Sequence, residues 1–401
     1  MSTTATTLSS AEQANSTYGL ALTSLSHFSL ELCHNFLPVL YPLLIVSMDL
    51  SYQQIGIIAL IVGLLTSVPQ PFLGFLSDRF GAYQVSGMSI LWLGVLMSVV
   101  GLAPNYLSFA IVVGLASLGS AAYHPAGAVL ASANSKAQRG MGMSIFSVGG
   151  NLGAALSPVL IAALVPWFGF NASLSILPVA LVVSILLTRQ TKLTVTQPSH
   201  SPNPTVSTAV GTATGELPVL WAGLLLLLIA SMTRAWFQVS FMTYLPVWID
   251  SGGGTLTQAS QMLSVFAFSI GAGSMFGGTA SDKVGRWIIV FISFALMAPA
   301  YWLFLHSVGL YQFLPLALLG FCIGNTYPIF ILMAQDCWVQ RAGVASGLII
   351  GIGWAPGGLG ASFTGYVADR SSLATGLELL LIPPLIGAIC LVLWRVAGYR
   401  M

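Results

Sequence analysis

The sequence predicts an all-α integral membrane protein whose twelve transmembrane helices form two six-helix, pseudo-symmetric halves. Three observations predict this fold class: scarce charge, twelve apolar runs of membrane-spanning length, and an internal repeat. Of the 401 residues, 56% are hydrophobic and 5% are charged, whereas roughly a quarter of a soluble domain is charged. Too few charges remain to hydrate a globular surface, which excludes a soluble enzyme, a nucleic-acid-binding protein and a disordered chain.

The apolar runs give the number of helices, because a hydrocarbon core about 30 Å thick needs roughly 20 apolar residues per helix. In the first half, spans 1 to 6 are predicted at 19–46, 53–76, 84–103, 106–132, 141–165 and 171–188. In the second half, spans 7 to 12 are predicted at 217–248, 257–280, 287–305, 310–335, 342–366 and 373–394. The runs are long and continuous, whereas the strands of a membrane barrel are short and alternating.

The positions of the basic residues predict the orientation. Most of the Lys and Arg residues lie in even-numbered connections or at the C-terminal end: Arg79, Lys136, Arg139, Arg189, Lys192, Lys283, Arg286, Arg341, Arg395 and Arg400. Arg370 lies on the other side, and Arg234 lies within span 7. We therefore expect a monomeric, multi-pass protein of a bacterial inner membrane with both termini in the cytoplasm.

Composition divides the chain into a tail, two halves, a linker and a second tail. The predicted segments are 1–17, 18–188, 189–216, 217–394 and 395–401. The first segment is rich in Ser, Thr and Ala and has no basic residue, so we expect a disordered cytoplasmic tail rather than a signal peptide. Within the third segment, residues 197–215 are rich in Pro, Ser and Thr, which predicts a flexible cytoplasmic linker.

A repeated turn motif relates the two halves. Residues 74–81 read GFLSDRFG at the end of span 2, and residues 278–285 read GTASDKVG at the end of span 8. A Tyr and a Pro that precede a basic residue and a Ser also recur, at nearly the same offset, in spans 4 to 5 and 10 to 11. The halves are therefore predicted to be copies in the same orientation, related by an axis along the membrane normal.

The first copy resembles the G-x-L-x-D-R-x-G loop of the major facilitator superfamily, and the resemblance covers essentially the whole chain. It implies a transporter that rocks two halves about a midplane site. The basic residues that usually follow the motif are replaced by Ala82, Tyr83 and Gln84, and the second copy keeps only Arg286.

Pseudo-symmetry predicts that Asp78 faces Arg341 and that Asp282 faces Arg139 when the cytoplasmic side is closed. A carboxylate at such a turn can accept bonds from helix N-terminal amides and pair with an arginine. The predicted gating residues are Asp78, Arg79, Arg139, Asp282, Lys283 and Arg341. A plain turn with solvated charges is the alternative.

A finer resemblance is to the fosmidomycin-resistance-like branch of drug exporters. Three segments carry it: His27-Phe28 with Glu31, Gln70-Pro71, and His124-Pro125 followed by SIFSVGGN at 144–151. That branch typically has Asn-Asp at Leu30-Glu31 and an acid at Ala126. The carboxyl group of span 1 is thus kept and the second acid is absent.

Ionisable residues at membrane depth are candidates for function, because their burial there is costly. His27, Glu31 and His34 lie in span 1 at steps of four and three, on one helical face. A carboxylate beside imidazoles can bind and release a proton, so these three are the predicted proton-coupling site, with Glu31 as the carrier. The alternative is a structural polar cluster that holds span 1 to a neighbouring helix.

Arg234 is the basic residue predicted at membrane depth, and we expect it to meet Glu31 or an anionic substrate. By the resemblance, spans 1, 4, 7 and 10 line the central cavity. The predicted substrate-binding residues are Arg234, His124, Tyr123, Gln238, Asn325, Tyr327 and Trp236. The alternative interpretation of His124 is a core histidine whose hydrogen bonds are satisfied. Glu378 in span 12 is assigned no role.

The sequence has no phosphate-binding loop, metal-ligand motif or nucleophile elbow. The four cysteines have no metal-ligand spacing and are predicted to be small buried apolar residues. We therefore expect no enzyme, no metal and no cofactor, with a proton gradient as the energy source. Solute, protons and the lipid bilayer are the expected partners, without nucleic acid.

The predicted function is a secondary active transporter that works by alternating access. It exports a small organic, anionic or amphipathic, drug-like compound in exchange for protons. Two alternatives stay open: proton-coupled or uncoupled uptake of an organic anion, and a substrate sensor on a transporter scaffold, which long extra cytoplasmic domains would favour.

Overall fold

The computed structural model describes residues 10–135, 139–192 and 220–398. Its α-helices are, in chain order, α1 (Ser10–His34), α2 (Leu37–Met48), α3 (Tyr52–Ser67), α4 (Gln70–Phe80), α5 (Ala82–Ser98), α6 (Tyr106–Asn134), α7 (Arg139–Phe168), α8 (Leu177–Thr188), α9 (Trp221–Ser251), α10 (Leu256–Val284), α11 (Arg286–His306), α12 (Phe313–Cys337), α13 (Ala342–Gly347), α14 (Pro356–Arg370), α15 (Leu373–Glu378) and α16 (Ile382–Val396). A π-helical turn, Leu348–Ile352, follows α13. No strand occurs in these ranges, which confirms the all-helical prediction.

Ten stretches are long and apolar enough to cross a membrane, or eleven if the bent pair α3 and α4 counts as one span. The longest, Met141–Thr188, contains α7 and α8, separated at Gly169, whose φ is 56°. Its 48 residues would form a helix about 72 Å long, more than twice the hydrocarbon thickness. Counted as two spans, α7 and α8 bring the described total to the predicted twelve.

Prolines lie at breaks in two of the spans. Between α3 and α4 the chain turns by 43°, where Pro69 and Pro71 withdraw two backbone donors from the helical ladder. Span 1 breaks between α1 and α2 at Asn35-Phe36, next to Pro38 in the first turn of α2. Both breaks lie inside predicted spans, so the helix count is unchanged.

The repeated motif adopts the same turn in both halves. Gly81 and Gly285 have φ of 90° and 107°, a region that glycine enters without strain. Each glycine donates its amide to the carbonyl of a serine four residues earlier, Ser77 or Ser281, at 3.0 and 2.9 Å. These matched turns support the internal repeat.

Close packing within and between the halves uses small residues. In the first half α7 lies against α1, and a Cβ at Gly149, Gly150 or Gly153 would collide with α1. Between the halves, α3 packs on α14 and α7 packs on α10. Glycines also lie at these two contacts, since a Cβ at Gly358 or Gly271 would collide with α3 or α7.

With twelve spans, Ser10 and Gly398 lie at one end of the bundle, which we call the terminal face; the opposite end is the distal face. The halves are joined at the distal face. Asp369 of α14 accepts hydrogen bonds from the amides of Tyr52 and Gln53 at 2.8 and 2.9 Å, satisfying two free donors of the first turn of α3. Tyr244 of α9 donates its hydroxyl to the carbonyls of Tyr52 and Ala361.

The terminal face shows no such closure among the described residues. Asp78 and Arg341, predicted to pair, are both exposed and form no ion pair with each other. Glycines 343, 347 and 351 follow one another at single-turn spacing, and nothing lies within 4 Å of a Cβ built on them. The described conformation is therefore closed at the distal face and open at the terminal face.

Several predicted boundaries fall at the limits of the described chain. Residues 1–9 of the tail, Lys136, residues 193–216 of the linker and residues 399–401 lie outside it. Residues 10–17 were predicted to be disordered, but α1 begins at Ser10. Each added residue extends an existing helix by one backbone hydrogen bond, so α1 continues beyond its apolar segment.

We expect Asp369→Ala to weaken distal closure. A carboxylate at an exposed helix N-terminus contributes up to about 1 kcal/mol, so the ratio of distal-open to distal-closed molecules should rise up to about fivefold. This ratio is measured by double electron–electron resonance between two spin labels. The labels are attached to cysteines that replace Leu107 and Tyr311, which are both exposed at the distal face.

Asp250→Ala is the matched control, because Asp250 is an exposed carboxylate near the distal end of α9 without an amide of the other half as partner in the described chain. An unchanged distance distribution in Asp369→Ala, or an equal change in both variants, would contradict the role given to Asp369.

Candidate functional site

A carboxylate and two imidazoles meet in the first half. His27 and Glu31 lie one turn apart on α1, and His124 comes from α6. The Nε2 atoms of His27 and His124 lie 3.5 and 3.6 Å from Oε1 of Glu31. We call His27, Glu31 and His124 the acid–imidazole cluster.

The backbone of α7 fixes the tautomer of His27. Its Nδ1 lies 2.9 Å from the carbonyl oxygen of Phe146, which can only accept, so Nδ1 carries a hydrogen. The other nitrogen, Nε2, then faces Glu31 as a lone pair in the neutral ring or as a second donor in the charged ring. The ring also stacks on Phe146 at 4.0 Å, over Gly150, where any Cβ would collide with it.

His124 is the most accessible member of the cluster. Its side chain is 31% exposed, against 13% for His27 and 16% for Glu31. Its Nε2 also lies 3.2 Å from the hydroxyl of Ser120, one turn earlier on α6. His124 is therefore the member of the cluster most open to its surroundings.

Asn35 links the cluster to the break in span 1. Its Nδ2 donates to Oε2 of Glu31 at 2.6 Å and to the carbonyl of Glu31 at 3.0 Å. Asn35 is also the first residue after α1, beside the break that separates α1 from α2. The carboxylate of Glu31 is thus bonded directly to the hinge of its own span.

Imidazoles and carboxylates are also zinc ligands, and the three potential ligand atoms of the cluster lie within 4.8 Å of one another. Among the described residues, this is the group of three His, Cys, Asp or Glu side chains with metal-ligand spacing. Asn35 and Ser120, however, already give Glu31 and His124 hydrogen-bond partners. We therefore keep the prediction of a proton rather than a resident metal.

A second ionisable group lies in the other half, near the middle of α9. Arg234 is 1% exposed, and its Nη1 donates to Oε1 of Gln238 at 2.8 Å. Its guanidinium carbon lies 5.0 Å from the ring centres of both Tyr327 and Trp354. We call these four residues the arginine cluster.

Comparison with known proteins places this architecture in a family. The sequence model of the Major Facilitator Superfamily matches residues 23–362. The chain belongs to the major facilitator superfamily.

Two curated relatives of this superfamily member match over most of their length. The fosmidomycin resistance protein of Escherichia coli strain K12 is 27% identical over 399 residues, covering 96% of this chain and 95% of that protein. The MFS-type transporter YfnC of Bacillus subtilis strain 168 is 26% identical over 368 residues, covering 89% and 88%. The predicted resemblance, including its branch, is confirmed by these matches.

Solved transporters share the fold at low identity. A bacterial homologue of the human lysosomal transporter Spinster, in an inward-facing and occupied conformation, has a TM-score of 0.73 at 15% identity and covers 95% of this chain and 96% of its own. A variant of the nucleoside transporter NupG has a TM-score of 0.68 at 15% identity, covering 94% and 98%.

Not all residues predicted for the proton site of this superfamily member lie together. His34 shares the α1 face, yet it stays outside the acid–imidazole cluster, and its buried Nε2 has no hydrogen-bond partner in the described chain. His124, predicted for the substrate site, takes its place. The predicted pairing of Arg234 with Glu31 is not formed, because Arg234 bonds Gln238 instead.

Three residues predicted to bind substrate serve in helix packing. Tyr123 is fully buried, and its hydroxyl is hydrogen-bonded to Ser26 at 2.6 Å. Trp236 donates its indole N–H to Thr364 of α14 at 3.3 Å. Asn325 lies where a Cβ at Gly277 of α10 would touch it. The resemblance placed these residues in cavity-lining spans. In this conformation they contact neighbouring helices, and their part in substrate binding stays a prediction.

The predicted gating charges whose side chains are described form no ion pair with one another in this conformation. Asp282 and Lys283 are exposed, and the Arg139 side chain is outside the described set. Arg341 lies over the Trp338 ring at 5.8 Å. These roles stay predictions for a conformation closed at the terminal face.

An ion pair that the sequence did not predict lies within the second half. Arg286 at the start of α11 pairs with Asp336 near the end of α12. At the corresponding place in the first half, Tyr83 and Asn134 are hydrogen-bonded at 3.0 Å. Both halves thus tie the same two helices together, one with charges and one with neutral groups.

Sequence signals for the missed residues existed. Asn35 follows Glu31 by one helical turn and precedes Pro38, so it shares the Glu31 face at a helix break. Phe146 and Gly150 lie in the SIFSVGGN segment at 144–151. Trp354 comes two residues before Pro356, where the last turns before α14 are irregular.

We expect Gly150→Ala to displace His27. The new Cβ would collide with the imidazole ring, and overpacking of this kind lowers the free energy of unfolding by about 1–3 kcal/mol. The thermal-unfolding midpoint of the purified protein measures the loss. Gly278→Ala in α10, where nothing lies within 4 Å of the added Cβ, is the control and should not lower the midpoint. Equal midpoints for the two variants would refute this assignment.

Proposed function

We propose that the chain is a secondary active transporter that exports a small organic compound in exchange for protons, with Glu31 as the proton carrier. One observation carries the proposal: two imidazole nitrogens lie 3.5 and 3.6 Å from one carboxylate oxygen within membrane-spanning helices. Ionisable groups are rare at this depth because their burial is costly, and they mark proton and substrate pathways.

The arrangement suits a single shared proton. The lone pair of His27 Nε2 faces the carboxylate, so a proton arriving at either group is stabilised by the other. Binding of that proton neutralises the charge of Glu31. Enclosing a neutral cluster costs less than enclosing a charged one, so proton binding favours the change of conformation that closes the halves over it.

Proton binding at Glu31 also affects the hinge of span 1. Asn35 donates to a full negative charge when Glu31 is ionised and to a neutral acid when it is protonated, and the first bond is the stronger. Beyond the hinge, α2 packs on α9 of the other half. A change in the Asn35 bond therefore acts on a helix that touches both halves.

Orientation follows from the basic residues, which we infer to place the terminal face in the cytoplasm. The described conformation is then open to the cytoplasm and closed to the outside. In the proposed cycle Glu31 loses its proton to the cytoplasm, the solute binds, the halves rock, and the solute leaves outward as an external proton enters.

Export is the direction favoured by the relatives. A membrane transporter named for fosmidomycin resistance is expected to remove that drug from the cell, and this chain matches it over nearly its whole length. Fosmidomycin therefore belongs in any panel of compounds tested for transport.

We expect Glu31→Gln to abolish proton-coupled flux. Glutamine keeps the size and the hydrogen-bonding capacity of the side chain but cannot release a proton. In proteoliposomes that contain a trapped pH dye, solute gradients should drive proton movement with the native protein and at least tenfold less with the variant, as typical for loss of a proton-transfer group.

Glu378→Gln is the control, because Glu378 is exposed and has no assigned role. Counterflow of labelled compounds, in the same vesicles, reports solute exchange without a pH gradient. Unaltered proton movement in Glu31→Gln would overturn the carrier role. If the solute moves in the same direction as an inward proton flow, rather than in the opposite direction, the protein mediates uptake instead of export.

A further inference from the structure

The edge of the Arg234 guanidinium is unsatisfied. Arg234 uses Nη1 to bond Gln238, whereas its Nε and Nη2 are buried and have no hydrogen-bond partner in the described chain. These two nitrogens form one side of the planar fork that binds carboxylates and phosphates with two parallel bonds. The free edge of Arg234 therefore has the shape that an oxyanion fits.

The charge of Arg234 is also uncompensated. None of the ion pairs formed by described residues includes Arg234, and Gln238 is neutral. A buried cation without a counter-ion is strongly unfavourable. A protein that keeps such a group near the middle of a span is expected to neutralise it with something that it binds.

Two aromatic rings hold the guanidinium without using its edge. The ring centres of Tyr327 and Trp354 lie 5.0 Å from the guanidinium carbon, in cation–π contact. Such contacts are made through the face of an aromatic ring and supply no acceptor for an in-plane N–H. They hold the guanidinium without pairing its in-plane N–H groups.

A further donor lies on the same side of α9. Ser231, one turn before Arg234, has a buried hydroxyl that also lacks a partner in the described chain. A Cβ at Gly353, just after the π-helical turn, would touch this hydroxyl. Irregular backbone at membrane depth is typical of segments that line a cavity.

We propose that the Nε and Nη2 edge of Arg234 binds an oxyanion of the transported compound. The solute class is thus a small organic anion with a compact carboxylate or phosphate-type group and an apolar body that meets Tyr327 and Trp354. The proposal rests on the proposed function for the path of the solute, whereas binding itself is tested without transport.

The experiment uses matched ligands on the full-length protein in a neutral detergent. Benzoate and benzamide have nearly the same shape, but only benzoate carries an oxyanion; phenyl phosphate is a second oxyanion. Each is titrated while the thermal-unfolding midpoint is recorded. We expect benzoate and phenyl phosphate to raise the midpoint and benzamide to leave it unchanged.

Variants assign the effect to Arg234. Arg234→Met should weaken oxyanion binding at least about thirtyfold, the loss typical of removing one partner of a buried charge pair. It should also raise the midpoint of the ligand-free protein, because it removes an uncompensated buried charge. A purely structural arginine, held by Tyr327 and Trp354, predicts the opposite change in the ligand-free midpoint. Arg234→Lys should bind more weakly than the native protein, since it lacks the fork.

Three results would overturn the proposal: no response to either oxyanion, an equal response to benzamide, or an oxyanion response that survives in Arg234→Met. A response to phosphatidylglycerol that matches the response to phenyl phosphate would assign the edge to a lipid headgroup and overturn the solute assignment. The titration follows binding without a pH gradient or net transport. The binding result therefore stands or falls separately from proton coupling.

Discussion

The cost of placing charge inside a bilayer is the constraint on which this structure depends. The chain satisfies it by keeping few charges at membrane depth and by separating the two signs. Glu31 lies among imidazoles in the first half, and Arg234 lies among neutral and aromatic groups in the second. Because the two do not neutralise each other, each can be neutralised by a species that moves, which we propose to be a proton in the first half and a solute anion in the second.

Helix breaks accompany both clusters. Span 1 is interrupted at Asn35, which bonds the Glu31 carboxylate, and span 11 has its π-helical turn next to Trp354 and Ser231. Segments beyond these breaks contact the opposite half, since α2 packs on α9 and α14 packs on α3. A change of charge at either cluster therefore acts on helices that join the halves, which is what coupling by rocking requires.

The sequence predicts the features that depend on a single helix or on the repeat. Apolar length predicted the spans, the repeated motif predicted matched turns at Gly81 and Gly285, and helical spacing placed His27 beside Glu31. The features that the sequence does not predict depend on contacts between helices. Spacing alone favoured His34, whereas packing of α6 on α1 brought His124 to the carboxylate. The partners of Arg234 come from α9, α12 and the segment before α14, and no single-helix pattern contains all of them.

We propose that proton occupancy of Glu31 controls which face is open. Spin labels on cysteines replacing Phe80 and Val344 report the terminal opening, because both positions are exposed at the ends of spans 2 and 11 there, while the native cysteines are buried. Distances should be measured by double electron–electron resonance at a series of pH values from mildly acidic to mildly alkaline. We expect two distance populations whose ratio changes with pH in the native background and stays constant in Glu31→Gln. The same pH response in both backgrounds would contradict control of the open face by Glu31.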